Sequence, residues 1–290
     1  MKVTLWGTRG SLSSPGPDTV QYGGNTSCVE VRGADGAVLV LDAGSGIRRL
    51  GMTLFRSERR IDLLLTHLHM DHVQGLGFFT PLYDPEAEIH IWGPASSRQS
   101  LQTRLGRCLS PPLFPLGLHE LPCNPHLHEV ARADFQIGEF GISSAFICHP
   151  GPTLGYRITN SGASVAYLPD HEPALGLRHF PLSREWTSGY ELASGVDLLI
   201  HDAQYAREEY ESRVGWGHSS LSHTLQFAAL AEVKKLVPFH HDPAHSDKFL
   251  DRMFAETVAS MNPPFLVGRG AEGVTFDLGG NHGAQSTTKT

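Results

Sequence analysis

Ile61-Asp62-Leu63-Leu64-Leu65-Thr66-His67-Leu68-His69-Met70-Asp71-His72 sets three imidazoles and a carboxylate within six residues, directly behind an apolar run. The run at 61–66 reads as a strand buried on both faces, because successive strand residues point to opposite sides and nearly all of these are apolar. Packing does not account for the polar turn at its end. Four titratable groups gathered behind a buried strand lose hydration and crowd charge, and a bound cation offsets both. In a turn, residues two apart such as His67 and His69 converge on one ion. Asp71 and His72 open the next helix and point to a second ion close by.

Composition agrees with a site of this kind. The chain has 290 residues, 40% hydrophobic and 18% charged, with 17 histidines against 7 tyrosines, 5 methionines and 4 tryptophans. That length supports a sizeable core without disulfide or metal staples. A net charge of −7 argues against a protein that coats nucleic acid through bulk charge. No run approaches about 18 apolar residues, so no membrane span is expected. The opening Met-Lys-Val-Thr-Leu-Trp lacks the apolar centre of a secretory leader, and a cytoplasmic location is expected. Cys28, Cys108, Cys123 and Cys148 are irregularly spaced without a C-x-x-C pair, which predicts reduced thiols in place of a disulfide scaffold or thiolate zinc site.

Further strand patterns recur at 3–6, 27–32, 37–42, 88–92, 142–149, 154–159, 164–169, 196–201, 235–239 and 273–278. Helical spacing relates Ile47, Leu50 and Leu54, and likewise Leu225, Ala228, Ala229 and Glu232. Helices are also expected over 95–109 and 245–261. Residues 110–125 read as an irregular Pro/Leu-rich loop, and 279–290 as a frayed tail. Strands dominate both halves with helices between them, which predicts one layered α/β domain over 1–278. Gly24, Asn25 and Thr26 read as a plain inter-strand loop. Arg48, Arg49, Arg56, Arg59 and Arg60 read as a solvated face, not an RNA patch. Phe78 and Phe79, with the segment 110–114, could wall a nucleobase pocket, and a fold-stabilising loop is at least an equal reading.

His67-Leu68-His69-Met70-Asp71-His72 behind a hydrophobic strand resembles the signature of the metallo-β-lactamase fold superfamily, and supporting motifs come in that family's order. Leu41-Asp42-Ala43-Gly44 resembles its early Asp-x-Gly element, and Cys148-His149-Pro150-Gly151 its later lone histidine. Tyr167-Leu168-Pro169-Asp170 is similar to the stretch carrying the metal-bridging aspartate, and Phe239-His240-His241-Asp242-Pro243 to the one carrying the last ligand. Within the superfamily the likeness is closer to ribonuclease Z and its phosphodiesterase relatives. Asp197-Leu198-Leu199-Ile200-His201-Asp202-Ala203 resembles their Asp-Leu-Leu-Ile-His-Glu-Ala segment, and Gly217-His218-Ser219-Ser220 their His-Ser-Thr motif. Two departures stand out. The Gly/Pro-rich arm with which ribonuclease Z grips tRNA is not evident between the metal motif and His149, and Asp202 replaces the usual Glu.

The resemblance implies a four-layer αββα sandwich of two mixed β-sheets flanked by helices, holding two divalent metal ions. His67, His69 and His149 would bind the first ion, Asp71, His72 and His240 the second, with Asp170 bridging. His241 competes with His240, and alignment on Pro243 favours His240. This donor set of nitrogen and oxygen suits Zn2+ and admits Mn2+ or Fe2+. The implied chemistry is phosphodiester hydrolysis by a metal-bridging hydroxide. His218 would be the general acid with Asp202 orienting it, and Asp71 joins them in the catalytic set. A residue capping a helix over 219–232 is the plain alternative for His218. The expected substrate is a small phosphodiester such as a cyclic nucleotide. RNA, through tRNA 3′-end processing, comes second, and a non-catalytic metal-dependent sensor third. No membrane partner is expected, and a homodimer is left open.

Overall fold

Val38-Leu39-Val40-Leu41 shows how the layers arise. Leu39 and Leu41 enter a core shared by two sheets, while Val38 and Val40 enter a second core under the helices. The computed structural model describes residues 1–174, 180 and 183–279. Among these, the first sheet takes β1 (Lys2–Gly7), β2 (Cys28–Arg32), β3 (Val38–Leu41), β4 (Arg60–Leu64), β5 (Glu88–Pro94) and β6 (His126–Val130). The second takes β7 (Ala133–Ile137), β8 (Phe140–Phe146), β9 (Leu154–Asn160), β10 (Ala163–Leu168), β11 (Leu198–Asp202), β12 (Lys235–Phe239) and β13 (Leu266–Val267). β14 (Thr275–Asp277) returns to the first sheet beside β1, so each sheet has seven strands. Both are mixed: β3 to β6 and β10 to β13 pair in parallel, and the remaining neighbours are antiparallel.

Helices cover the outer faces. α1 (Ile47–Leu54), α2 (Met70–Val73) and α3 (Leu101–Leu105) lie on the first sheet, with Ile47, Leu50, Leu54, Val73, Leu101 and Leu105 buried among Ile61, Leu63 and Ile91. α4 (Tyr190–Ala193), α6 (Leu221–Leu230) and α7 (Asp247–Met261) lie on the second, joined to Ala166, Leu168 and Leu199, and α5 (Arg207–Tyr210) is a short turn ahead of α6. These are the four layers of the metallo-β-lactamase sandwich. No helix among the described residues is long and apolar enough to cross a membrane.

Several elements differ from their sequence patterns. β6 and β7 were not expected, because His126-Leu127-His128-Glu129 and Ala133-Asp134-Phe135-Gln136 carry polar residues at the sheet margins. β13 is only two residues long. The helix expected over 95–109 shrinks to α3, which begins behind the Ser100 cap. α6 stops at Leu230 because Glu232 takes a left-handed φ of 54°, and its N-cap is Ser220, not His218. Strand β8 ends at Phe146, so His149 sits in the loop beyond it. Phe79 is fully buried beside Gly51 and cannot wall a pocket, whereas Phe78 is exposed and packs edge-on against Phe114. The tail expected over 279–290 lies, apart from Gly279, outside the described residues.

Other expectations match. All four cysteines are free. Arg49, Arg56, Arg59 and Arg60 are exposed and paired with Glu272, Asp84, Glu86 and Asp62 respectively. Asn25 donates from its backbone and side chain to Glu272, and Thr26 is bonded to Ser45 and Gln74, which makes that turn structural.

Candidate metal centre

The strands that end at one margin of the sandwich build the centre. β4 runs into 66–72. β8, β10, β11 and β12 share one direction and deliver His149, Asp170, Asp202 and His240 from their carboxyl ends, where open α/β sheets place their ligands. The donors therefore come from both sheets. His240 leaves β12 with a left-handed φ of 61°, a conformation that costs a residue bearing a β-carbon free energy and collects at functional sites.

Two groups form there. The donor atoms of His67, His69, His149 and Asp170 lie within 4.8 Å of one another, as do those of Asp71, His72, Asp170 and His240. Asp170 belongs to both. Its Oδ1 is 2.9 Å from His72 Nε2 and 3.2 Å from His240 Nε2, and its Oδ2 is 3.7 Å from the Nε2 atoms of His67 and His149. All seven residues proposed from sequence as ligands meet here. His241 does not: its Nε2 is 2.6 Å from the Gly270 carbonyl and its ring packs against Tyr22.

The tautomers are set from outside. His72 Nδ1 lies 2.8 Å from Asp42 Oδ2, His149 Nδ1 2.8 Å from the Gly217 carbonyl, and His240 Nδ1 2.9 Å from Gln204 Oε1. Each outward nitrogen donates, which leaves Nε2 as a lone pair turned inward, the arrangement that orients metal-binding imidazoles. Asp42 is fully buried and also accepts from Thr66 N, Thr66 Oγ1 and Tyr167 OH. Ser11 N donates to Asp71 Oδ2 at 2.7 Å.

The fit to cations rests on the atoms left unpaired. His67 Nε2, His72 Nε2 and Asp170 Oδ1 are buried and make no well-aligned hydrogen bond, the last two meeting only as an ion-pair contact at 2.9 Å. Such groups are costly unless something binds them. Burial lowers the basicity of His67 and His69, and brings His149 down to about 4, so these imidazoles are neutral and ready to donate. At His72 burial is outweighed by Asp170, Asp71 and Asp42, which push its basicity well above the ordinary value: the pocket favours positive charge. Asp71 and Asp170 stay ionised because the surrounding imidazoles outweigh their own desolvation.

Beside the second group stands another pair. His218 Nδ1 is 2.7 Å from Asp202 Oδ2, and the His218 ring stacks on His240 at 5.0 Å. Burial opposes its protonation, but the Asp202 charge and hydrogen bond, with Asp170 and Asp71 beyond, raise His218 to about 9. Glu172 accepts from Gly215 N, Gly217 N and Tyr210 OH, which fixes the loop that leads to His218.

Sequence reasoning missed Gln204, Ser11 and Glu172, and gave Asp42, Thr66 and Tyr167 no orienting role. Gln204 carried one usable signal: it lies two residues beyond Asp202, the spacing that also unites His67 and His69.

The chain matches the model of the beta-lactamase superfamily domain over residues 38–241, and it belongs to that superfamily. It is 30% identical over 267 residues to the ribonuclease Z of Mycobacterium avium, covering 84% of this chain and 87% of that protein. The ribonuclease Z of Thermococcus onnurineus is 24% identical over 285 residues, with the same two coverages. Among solved structures, the short form of human tRNase Z superposes with a TM-score of 0.67 at 20% identity, covering 96% of this chain and all of that one.

Proposed function

We propose that this member of the superfamily is a dinuclear metal-dependent phosphodiesterase that cleaves a small phosphodiester such as a cyclic nucleotide. The observation that carries the reading is one juxtaposition: two donor groups share Asp170, and His218 with Asp202 adjoins the second of them through His240. His67, His69 and His149 would hold one ion and Asp71, His72 and His240 the other. When bound, the ions supply Lewis acidity toward the phosphoryl oxygens and a water of lowered pKa, and zinc suits the donors while manganese or iron is admitted.

The rest falls to the chain's own residues. Asp202 accepts the Nδ1 proton of His218, which leaves Nε2 to carry a proton toward the departing oxygen. Raised to about 9, His218 holds that proton at neutral pH. Asp71, held by Ser11 N, keeps a carboxylate oxygen 3.1 Å from His240 Nε2. A binder or sensor needs no general acid, which counts against that role.

A second reading is tRNA 3′-end processing, favoured by the curated relatives named ribonuclease Z. Two features favour a small substrate. Leu101, Leu105, Leu109, Leu118 and Leu121 pack into the core, so the segment after β5 lies against the sheet without forming an arm. The chain also carries net negative charge. The test assays metal-analysed protein on bis-p-nitrophenyl phosphate, cyclic nucleotides and a pre-tRNA side by side. Turnover of the small diesters is expected. Cleavage confined to the pre-tRNA would replace this reading with the second, and inertness toward all three would end both.

A further inference from the structure

The turns that carry the donors have an unusual surface. Residues 10–13, 66–74, 148–153, 170–174, 202–206, 214–220 and 239–245 contain no lysine or arginine. Arg9, next to the first of them, is fully buried and spent on the carbonyls of Gly23, Asp242 and His245. Apart from the donor His69, the large side chains that these turns show to solvent are apolar. Leu12, Met70 and Trp216 are each about 60% exposed, and Gly151 and Pro152 lie exposed between His149 and Thr153.

Their positions tie them to the centre. Leu12 comes after Ser11, whose amide holds Asp71, and Met70 stands between His69 and Asp71. Trp216 precedes Gly217, whose carbonyl holds His149, and Pro152 lies three residues beyond His149. Both donor groups are thus flanked by apolar side chains. Keeping an indole, a thioether and an isobutyl group in water has a cost that a ligand would recover.

We propose that Leu12, Met70, Pro152 and Trp216 form an apolar rim that takes a planar aromatic ring of the substrate, a nucleobase or aryl group next to the phosphoryl group. The proposal deepens the phosphodiesterase reading and rests on it. Charge complementarity selects the occupant. The centre would take one anionic phosphoryl group, and the cations next to these turns offer little for a second: Arg213 lies over the Tyr205 ring and donates to the Glu209 carbonyl, and among the described residues Arg207 is the one exposed cation adjoining them in the chain. A polyanionic strand needs such cations along its path. A monoanionic diester with a flat ring needs a stacking surface, and Trp216 supplies one.

The test separates ring recognition from turnover. Binding of adenosine monophosphate and of ribose 5-phosphate to the metal-loaded protein is measured by calorimetry, since the base is what chiefly distinguishes the two. The wild type should bind adenosine monophosphate about ten-fold more tightly, in line with the worth of one base stacked on an aromatic side chain. Trp216→Ala should erase most of that preference while the affinity for ribose 5-phosphate moves less than two-fold. Met70→Gln, which keeps a helix-forming residue, should lower it partly, and metal content should stay at the wild-type value in both variants. Equal binding of the two ligands by the wild type, or a preference that survives both substitutions, overturns the rim. So does a change in oligomeric state by light scattering in Trp216→Ala, which would make the patch a contact between copies. Base preference in a protein inert toward every diester would support the rim and end the phosphodiesterase reading, so the two fail separately.

Discussion

Each of His72, His149 and His240 offers one nitrogen inward because its other nitrogen is engaged, and the engaging residue therefore sets affinity without touching the ion. Gln204 is the clearest case, since its amide oxygen receives His240 Nδ1. Gln204→Leu keeps the bulk and removes the acceptor. Affinity for one ion should fall about 10–100-fold, read by competition with a chelator of known affinity, while the other ion is retained. His218 should behave in the opposite way. His218→Ala is expected to lower kcat by about 10²–10⁴-fold with two ions still bound per chain. Loss of metal in that variant would place His218 among the ligands. Its basicity also sets a pH limb. A group raised to about 9 is protonated below that value and loses its proton above it, so a general acid of this kind gives kcat an alkaline fall. Bound cations oppose protonation, which moves the fall below 9. Asp202→Asn should move it lower again, as a pH–kcat profile would show.

Between the residue and the molecule stand the strand-to-turn junctions, and there the backbone matters more than side-chain chemistry. A β-carbon on Gly10 would sit 2.3 Å from His240 Nδ1, closer than any real contact. Gly10→Ala should therefore displace His240 and reduce the metal content from two ions toward one, measured by elemental analysis, with the His67, His69 and His149 group intact. These elements also differ in how far their sequences reveal them. The run 61–72 announced both a buried strand and a donor cluster, because its apolar block and its histidines have few other uses. The buried strands of both sheets were legible for the same reason. β6 and β7 were not, since strands at a sheet margin are half wet and their His-, Glu- and Gln-containing patterns resemble loops. Helix ends were also missed, because Ser100 and Ser220 act through cap hydrogen bonds that periodicity does not register. The seven donors were legible through motif order. Their orienting partners were not, since Gln204 and Gly217 are ordinary residues whose importance comes from where the fold points them.

Across the whole molecule, the centre joins two sheets, and buried imidazoles elsewhere tie its stability to pH. Burial lowers His201 to about 4 and His241 to about 3. Unfolded histidine titrates near 6.5, so below that value the unfolded chain binds protons that the folded one refuses. Stability from these two groups is complete above about pH 6.5 and falls as pH drops, by about 1.4 kcal/mol per pH unit for each group until its folded value is reached. The donor histidines add their own pH dependence, so the test is the difference: in urea unfolding of metal-free protein between about pH 6 and 4.5, His241→Leu should show a slope about one such increment shallower than the wild type. The path of the chain has a further consequence. Met1 N lies 2.8 Å from the Leu278 carbonyl, and Lys2 pairs with Asp277. Among the described strands, β14 is the one whose sheet neighbour is remote in sequence. If the residues after Leu278 were removed, Leu278 joined to Met1 by a short glycine linker and the chain reopened in the exposed connection at Arg132, the order of synthesis would become β7 to β13, then β14, then β1 to β6. Each sheet would then be laid down as an unbroken series, and the circular permutant could complete one half before the ribosome began the other.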